Sequence, residues 1–89
     1  IILNTIQGVK ESAIIGVKDP DLGESPIAIL VGDSKASEIS DKDIIEVLNR
    51  KLAKFKIPKS FIWIDKLPVN AMGKIQKKNL RIKYEKILL

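Results

Sequence analysis

Apolar positions change their spacing along this chain, and each spacing predicts an element. Ile2, Leu3 and Ile6 recur at helical intervals and Gly8 follows as a stop, predicting a helix over 1–7. "ESAIIGV", residues 11–17, and "PIAILVG", residues 26–32, are apolar and rich in β-branched side chains, the signature of strands. Between them "KDPDLGES", 18–25, reads as a turn or loop from its Asp-Pro and its glycine, so the two strands form an antiparallel hairpin. "DSKASEIS", 33–40, is polar and loop-like. Ser40 and Asp43 then fit the Ser-x-x-acid variant of a capping box. Ile44, Leu48, Leu52 and Phe55 follow at i, i+4, i+8 and i+11, one buried face of a helix over 41–54 that Pro58 ends. "FIWI", 61–64, is a short strand, 65–76 a loop with Pro68 and Gly73, and 77–88 a last helix with Leu80, Tyr84, Ile87 and Leu88 on its inner face. The order α-β-β-α-β-α predicts an α+β fold, a small antiparallel or mixed sheet flanked by helices, as one domain over residues 1–89.

Composition narrows the chemistry. Eighty-nine residues, 45% hydrophobic and 30% charged, suit one globular domain with one modest core. Without cysteine there is no disulfide and no thiolate metal site, a pattern that suits a cytoplasmic protein. Without histidine the commonest general base is missing. No apolar run approaches the ~20 residues of a membrane span, and the opening residues carry no signal-peptide pattern.

Charge is divided unevenly. Residues 1–49 hold four lysines against nine acids, a net of −5, whereas 50–89 hold twelve Lys/Arg against two acids, a net of +10. A basic half implies an anionic partner, or simply a well-solvated surface.

Three stretches carry candidate chemistry. In "LPVNAMGKIQKK", 67–78, Gly73 frees the backbone beside Lys74 and Pro68 stiffens the approach, presenting an ammonium group on a loop. Such a group stabilises charge developing on phosphate or carboxylate oxygens; the alternative is an ordinary solvated lysine. A Walker phosphate loop is excluded, because Ile75 follows the lysine where Ser or Thr is required. In "RKLAKFKIPK", 50–59, five cations in ten positions could grip several phosphates, Arg50 bidentately, or form a solvated face eased by a Glu46–Arg50 pair. "DPDLGE", 19–24, gathers three acids but lacks the alternating ligands of a calcium loop and reads as a turn. Trp63 and Phe61 read as sheet packing, since two aromatics do not make a nucleic-acid-binding sheet.

"GVKESAIIGVKDPDLGE", "LAKFKIPK" and "DKLPVNAMGKIQKKNLR" together resemble the C-terminal domain of the acyl-adenylate-forming superfamily, the AMP-forming acid–CoA ligases. The blocks stand in the family's order from Gly8 to Arg81, and within the superfamily they look most similar to malonyl-CoA synthetases and related short-acyl ligases. The resemblance implies two half-reactions. A carboxylic acid attacks the ATP α-phosphate to give acyl-AMP and pyrophosphate; CoA thiol then displaces AMP, the C-terminal domain swinging between the two steps.

On that reading Lys74 matches the family's adenylation lysine, Gly73 holds its loop open, and Arg50 with Lys51 lies where some members contact the phosphates of CoA. Acetylation of Lys74 would remove its charge and stop adenylation. The partner implied is the chain's own large N-terminal domain, which would hold Mg²⁺ with ATP and choose the acid, so these 89 residues alone are expected to be inactive. An adenylation domain that loads a carrier protein would keep Lys74's role while relieving Arg50 of CoA. A small basic nucleic-acid-binding module is the reading from another class, and the motifs for it are absent.

Overall fold

A computed structural model describes residues 3, 6–51 and 57–89. Two long strands, β1 (Val9–Asp19) and β2 (Gly23–Gly32), pair antiparallel from Asp19 opposite Gly23 to Val9 opposite Gly32, with one irregularity between Val9 and Glu11. A short 3₁₀ turn, Ala36–Glu38, leads into α1 (Asp41–Lys51). Strand β3 (Phe61–Ile64) joins the free side of β2 in parallel, Ala28 opposite Phe61 and Val31 opposite Ile64, and α2 (Lys77–Tyr84) follows. The sheet is therefore mixed, in the order β1-β2-β3.

Strand alternation sorts the core into two faces. Ala13, Ile15, Val17, Ile27, Ile29 and Val31 meet Leu67 and Leu80, with Tyr84 and Leu88 packed against them. Ala28 and Leu30 meet Leu3, Val9, Ile44 and Leu48 on the other side, with Phe61 and Trp63 alongside. Thus α2 covers one face and α1 the other. Central β2 is buried on both, and Ile27 through Leu30 are fully inaccessible to solvent. That explains why its sequence runs apolar without alternation. Burying Ile27, Ile29 or Leu30 contributes about 1.5–3 kcal/mol each, an upper figure because unfolded chains already hide some of it.

Local signals account for the element ends. The capping box forms as expected: Ser40 Oγ accepts from the Asp43 amide at 3.2 Å and Asp43 Oδ2 accepts from the Ser40 amide at 3.1 Å. Ile44 and Leu48, one turn apart, are the buried residues of α1. The expected positions Leu52 and Phe55 lie outside the described residues, as does most of the helix expected over 1–7.

Two expectations are corrected. The loop expected over 18–25 contracts to a tight turn over 20–22, because strand pairing claims Asp19 and Gly23 to Ser25. The last helix stops at Tyr84 rather than 88. Beyond it Ile87 N–H donates to Tyr84 O and Leu89 N–H to Lys86 O, bonds of the tighter i→i−3 kind. The tightening leaves Ile87 exposed while Leu88 stays against the core.

Candidate functional site

Lys74 sits on the loop between β3 and α2. Val69 and Ile75 form an antiparallel bridge, and Gln76 N–H donates to Pro68 O at 2.8 Å, closing the base of the loop. Within it Gly73 takes a φ of +79°, a conformation costly for any residue with a Cβ, and its N–H donates to Asn70 O at 2.9 Å. Asn70 Oδ1 accepts from the amides of Met72 at 2.9 Å and Lys74 at 3.0 Å. The backbone of Lys74 is therefore held, while its side chain is exposed and pairs with no acid among the described residues. Apolar side chains surround it in the open: Met72 is 82% exposed, Val69 55% and Ile75 39%.

The electrostatics of this tip point one way. Lys77 and Lys78 open α2, no acid stands in its first turn, and Gln76 makes no side-chain cap. Two lysines are thus set against the positive end of a helix dipole, a locally unfavourable arrangement that raises the positive potential next to Lys74. At α1 the order is the favourable one, with Asp41 and Asp43 in the first turn and Arg50 and Lys51 in the last.

Arg50 and Lys51 are both exposed at the end of α1, on the layer opposite α2. The expected Glu46–Arg50 ion pair does not form. Both side chains are exposed, where such a pair gains little over water. The fold joins Gly73 with Lys74 on one loop and Arg50 with Lys51 on one helix end; it does not bring the two groups together.

The dense cluster of 50–59 divides differently from its expectation. Lys54 and Lys56 lie outside the described residues. Lys59 is no free phosphate ligand: its Nζ donates to Asp19 Oδ2 at 2.6 Å across 40 positions of sequence. Asp19 is 1% exposed at its side chain and Lys59 42%. The same carboxylate accepts from Ser25 Oγ at 2.6 Å and from the amides of Asp21 at 2.8 Å and Leu22 at 3.3 Å. Lys59 first, then Ser25 and the Asp21 amide, hold the Asp19 carboxyl far below the usual carboxylate range against the opposing effect of burial. The one buried acid of "DPDLGE" is thus engaged by Lys59, Ser25 and its own turn, and no group of three or more potential metal ligands occurs among the described residues. Trp63 packs as expected against the α1 face of the sheet.

Two features escaped the sequence reading, the pairing of Asp19 with Lys59 and the hydrogen bonds of Asn70. Nothing local links Asp19 to Lys59. Asn70 did leave a signal, Asn at the first and Gly at the fourth position of a turn.

Residues 2–74 match the family described as the AMP-binding enzyme C-terminal domain, a match that ends on Lys74. The long-chain-fatty-acid–CoA ligase FadD13 of Mycobacterium tuberculosis is 40% identical over 79 residues, 89% of this chain and 15% of that protein. A 2-succinylbenzoate–CoA ligase of Listeria monocytogenes is 40% identical over 79 residues, 88% of this chain and 16% of its own length. ATP-bound MatB from Rhodopseudomonas palustris superimposes with a TM-score of 0.92 at 42% identity, over 99% of this chain and 17% of that one. The chain spans about a sixth of the length of these relatives.

Proposed function

The chain belongs to the AMP-binding enzyme C-terminal domain family, and from that premise we propose that it is the mobile C-terminal domain of an ATP-dependent acid–CoA ligase, with Lys74 as the adenylation lysine. The observation that carries the reading is an unpaired ammonium group on a loop whose backbone is pinned by hydrogen bonds. In the first half-reaction a carboxylate must approach the α-phosphate of ATP, so two anions are crowded together. A fixed cation between them offsets the repulsion and stabilises the charge that builds on the transferring oxygens. Lys77, Lys78 and the start of α2 add to the same field. The exposed Val69, Met72 and Ile75 supply an apolar rim that a covering surface of the larger domain would bury.

Arg50 and Lys51, on the opposite layer, would meet the nucleotide phosphates of CoA in the second half-reaction. Their separation from Lys74 supports a domain that offers one layer for each step. The names of the relatives, a long-chain-fatty-acid–CoA ligase and a 2-succinylbenzoate–CoA ligase, favour CoA over a carrier protein as acceptor. Mg²⁺ would accompany ATP and be held by the larger domain.

The test is Lys74→Ala in the full-length chain, with pyrophosphate release assayed on a panel of acids, malonate included, and thioester formation assayed from pre-made acyl-adenylate. Loss of the first with survival of the second is the expected result. Normal rates in both would make Lys74 a solvated loop lysine.

A further inference from the structure

Every side chain from Val69 to Ile75 is exposed, so packing cannot fix the loop that carries Lys74. Hydrogen bonds must, and one residue makes most of them. Asn70 donates its own N–H to Lys74 O at 2.9 Å and accepts from Gly73 N–H at its carbonyl, also at 2.9 Å. Its side-chain oxygen accepts from Met72 N–H at 2.9 Å and Lys74 N–H at 3.0 Å. Both polar groups of the Lys74 backbone thus end on Asn70, one through the main chain and one through the side chain. Only the second depends on residue type.

We propose that Asn70 is the positioning residue of the adenylation lysine: its side-chain oxygen sets the direction in which the Lys74 backbone launches its ammonium group. The proposal rests on the reading of Lys74 given above. A lysine side chain is long, so a small rotation of its peptide displaces Nζ by more than an ångström, and a misplacement of that order can cost about a hundredfold in rate. The fold, by contrast, has little at stake. The two amides that would lose their acceptor belong to exposed residues, where water replaces it. A purely structural residue would lower stability and both half-reactions together; a positioning residue lowers one half-reaction and leaves stability alone.

The experiment compares Asn70→Ala, Asn70→Asp and Lys74→Ala in the full-length chain. For Asn70→Ala we expect kcat for pyrophosphate release to fall about 10- to 100-fold with KM for ATP within about twofold. Thioester formation from pre-made acyl-adenylate is unchanged, melting is unchanged, and amide hydrogen exchange over 70–75 is faster. Asn70→Asp retains an oxygen that accepts from both amides and recovers adenylation to within about threefold of the parent. Normal adenylation by Asn70→Ala, equal loss in both half-reactions, or Asn70→Asp as slow as Asn70→Ala would each overturn the proposal. Lys74→Ala separates the two failures. If it is slow while Asn70→Ala is normal, only the role of Asn70 falls; if it adenylates normally, the reading of Lys74 falls and takes this one with it.

Discussion

Lys59 and Lys74 begin alike, each a lysine in a lysine-rich stretch near a proline or glycine, each able in principle to meet a phosphate. The fold treats them oppositely. Lys59 is spent on the buried Asp19 carboxylate, which it tethers to the stretch leading into β3. Lys74 has its backbone engaged and its charge left open. A cation is available to a ligand only when the fold has no acid of its own to give it. The net charge of the basic half therefore overstates the charge available to a ligand.

The contrast can be tested from its strongest point downward. Lys74→Ala removes a charge that does no structural work, so adenylation should fall by about 10²–10³-fold, the equivalent of about 2.7–4 kcal/mol, with melting unchanged. Asp19→Ala should do the reverse, lowering the melting temperature while leaving the Lys74 loop intact. Lys59→Ala should cost less than Asp19→Ala, since the carboxylate would keep Ser25 and two amides as donors; equal losses would mean the ion pair alone matters. The same carboxylate gives a pH signature. Its pKa is depressed on folding, so its contribution is complete above its ordinary value of 3.8 and is lost as pH falls from there toward the lowered folded value. Urea melts taken at steps below about pH 4 should show declining stability that Asp19→Ala flattens. The double variant Arg50→Ala, Lys51→Ala should raise KM for CoA about tenfold and leave pyrophosphate release alone. Smallest is Ser40→Ala, where amide exchange in the first turn of α1 should report about 0.5–1 kcal/mol of lost protection.

What could be read from sequence followed the range of the interaction. The hairpin, the capping box and the buried pair Ile44 and Leu48 are encoded within a few positions of one another, and all three stand as expected. Parallel pairing of β3 with β2 leaves no mark that periodicity can detect, so mixed and antiparallel sheets remained equal. The end of α2 was overrun because Ile87 and Leu88 keep the helical interval after the backbone has tightened. The loop itself was legible from Pro68 and Gly73, the latter taking the positive φ that suits glycine, whereas the role given to Lys74 came from the family resemblance. For Lys59 the sequence offered a phosphate-gripping cluster or a solvated face, and neither is what forms, because its partner lies 40 positions away and local spacing has no access to that distance.

The long reach from Asp19 to Lys59 also orders events in time. The β1–β2 hairpin closes through a tight turn and needs only microseconds, whereas β3 must return to β2 past α1, a closure of higher entropic cost. The ion pair spans that same return, so it is expected late in assembly. Interactions absent from the transition state govern unfolding rather than folding. Stopped-flow measurements on Asp19→Ala should accordingly show a folding arm that is unmoved and an unfolding arm that is faster. On that outcome the clip between these two residues is a latch: it sets how long the domain stays folded, not how quickly it gets there.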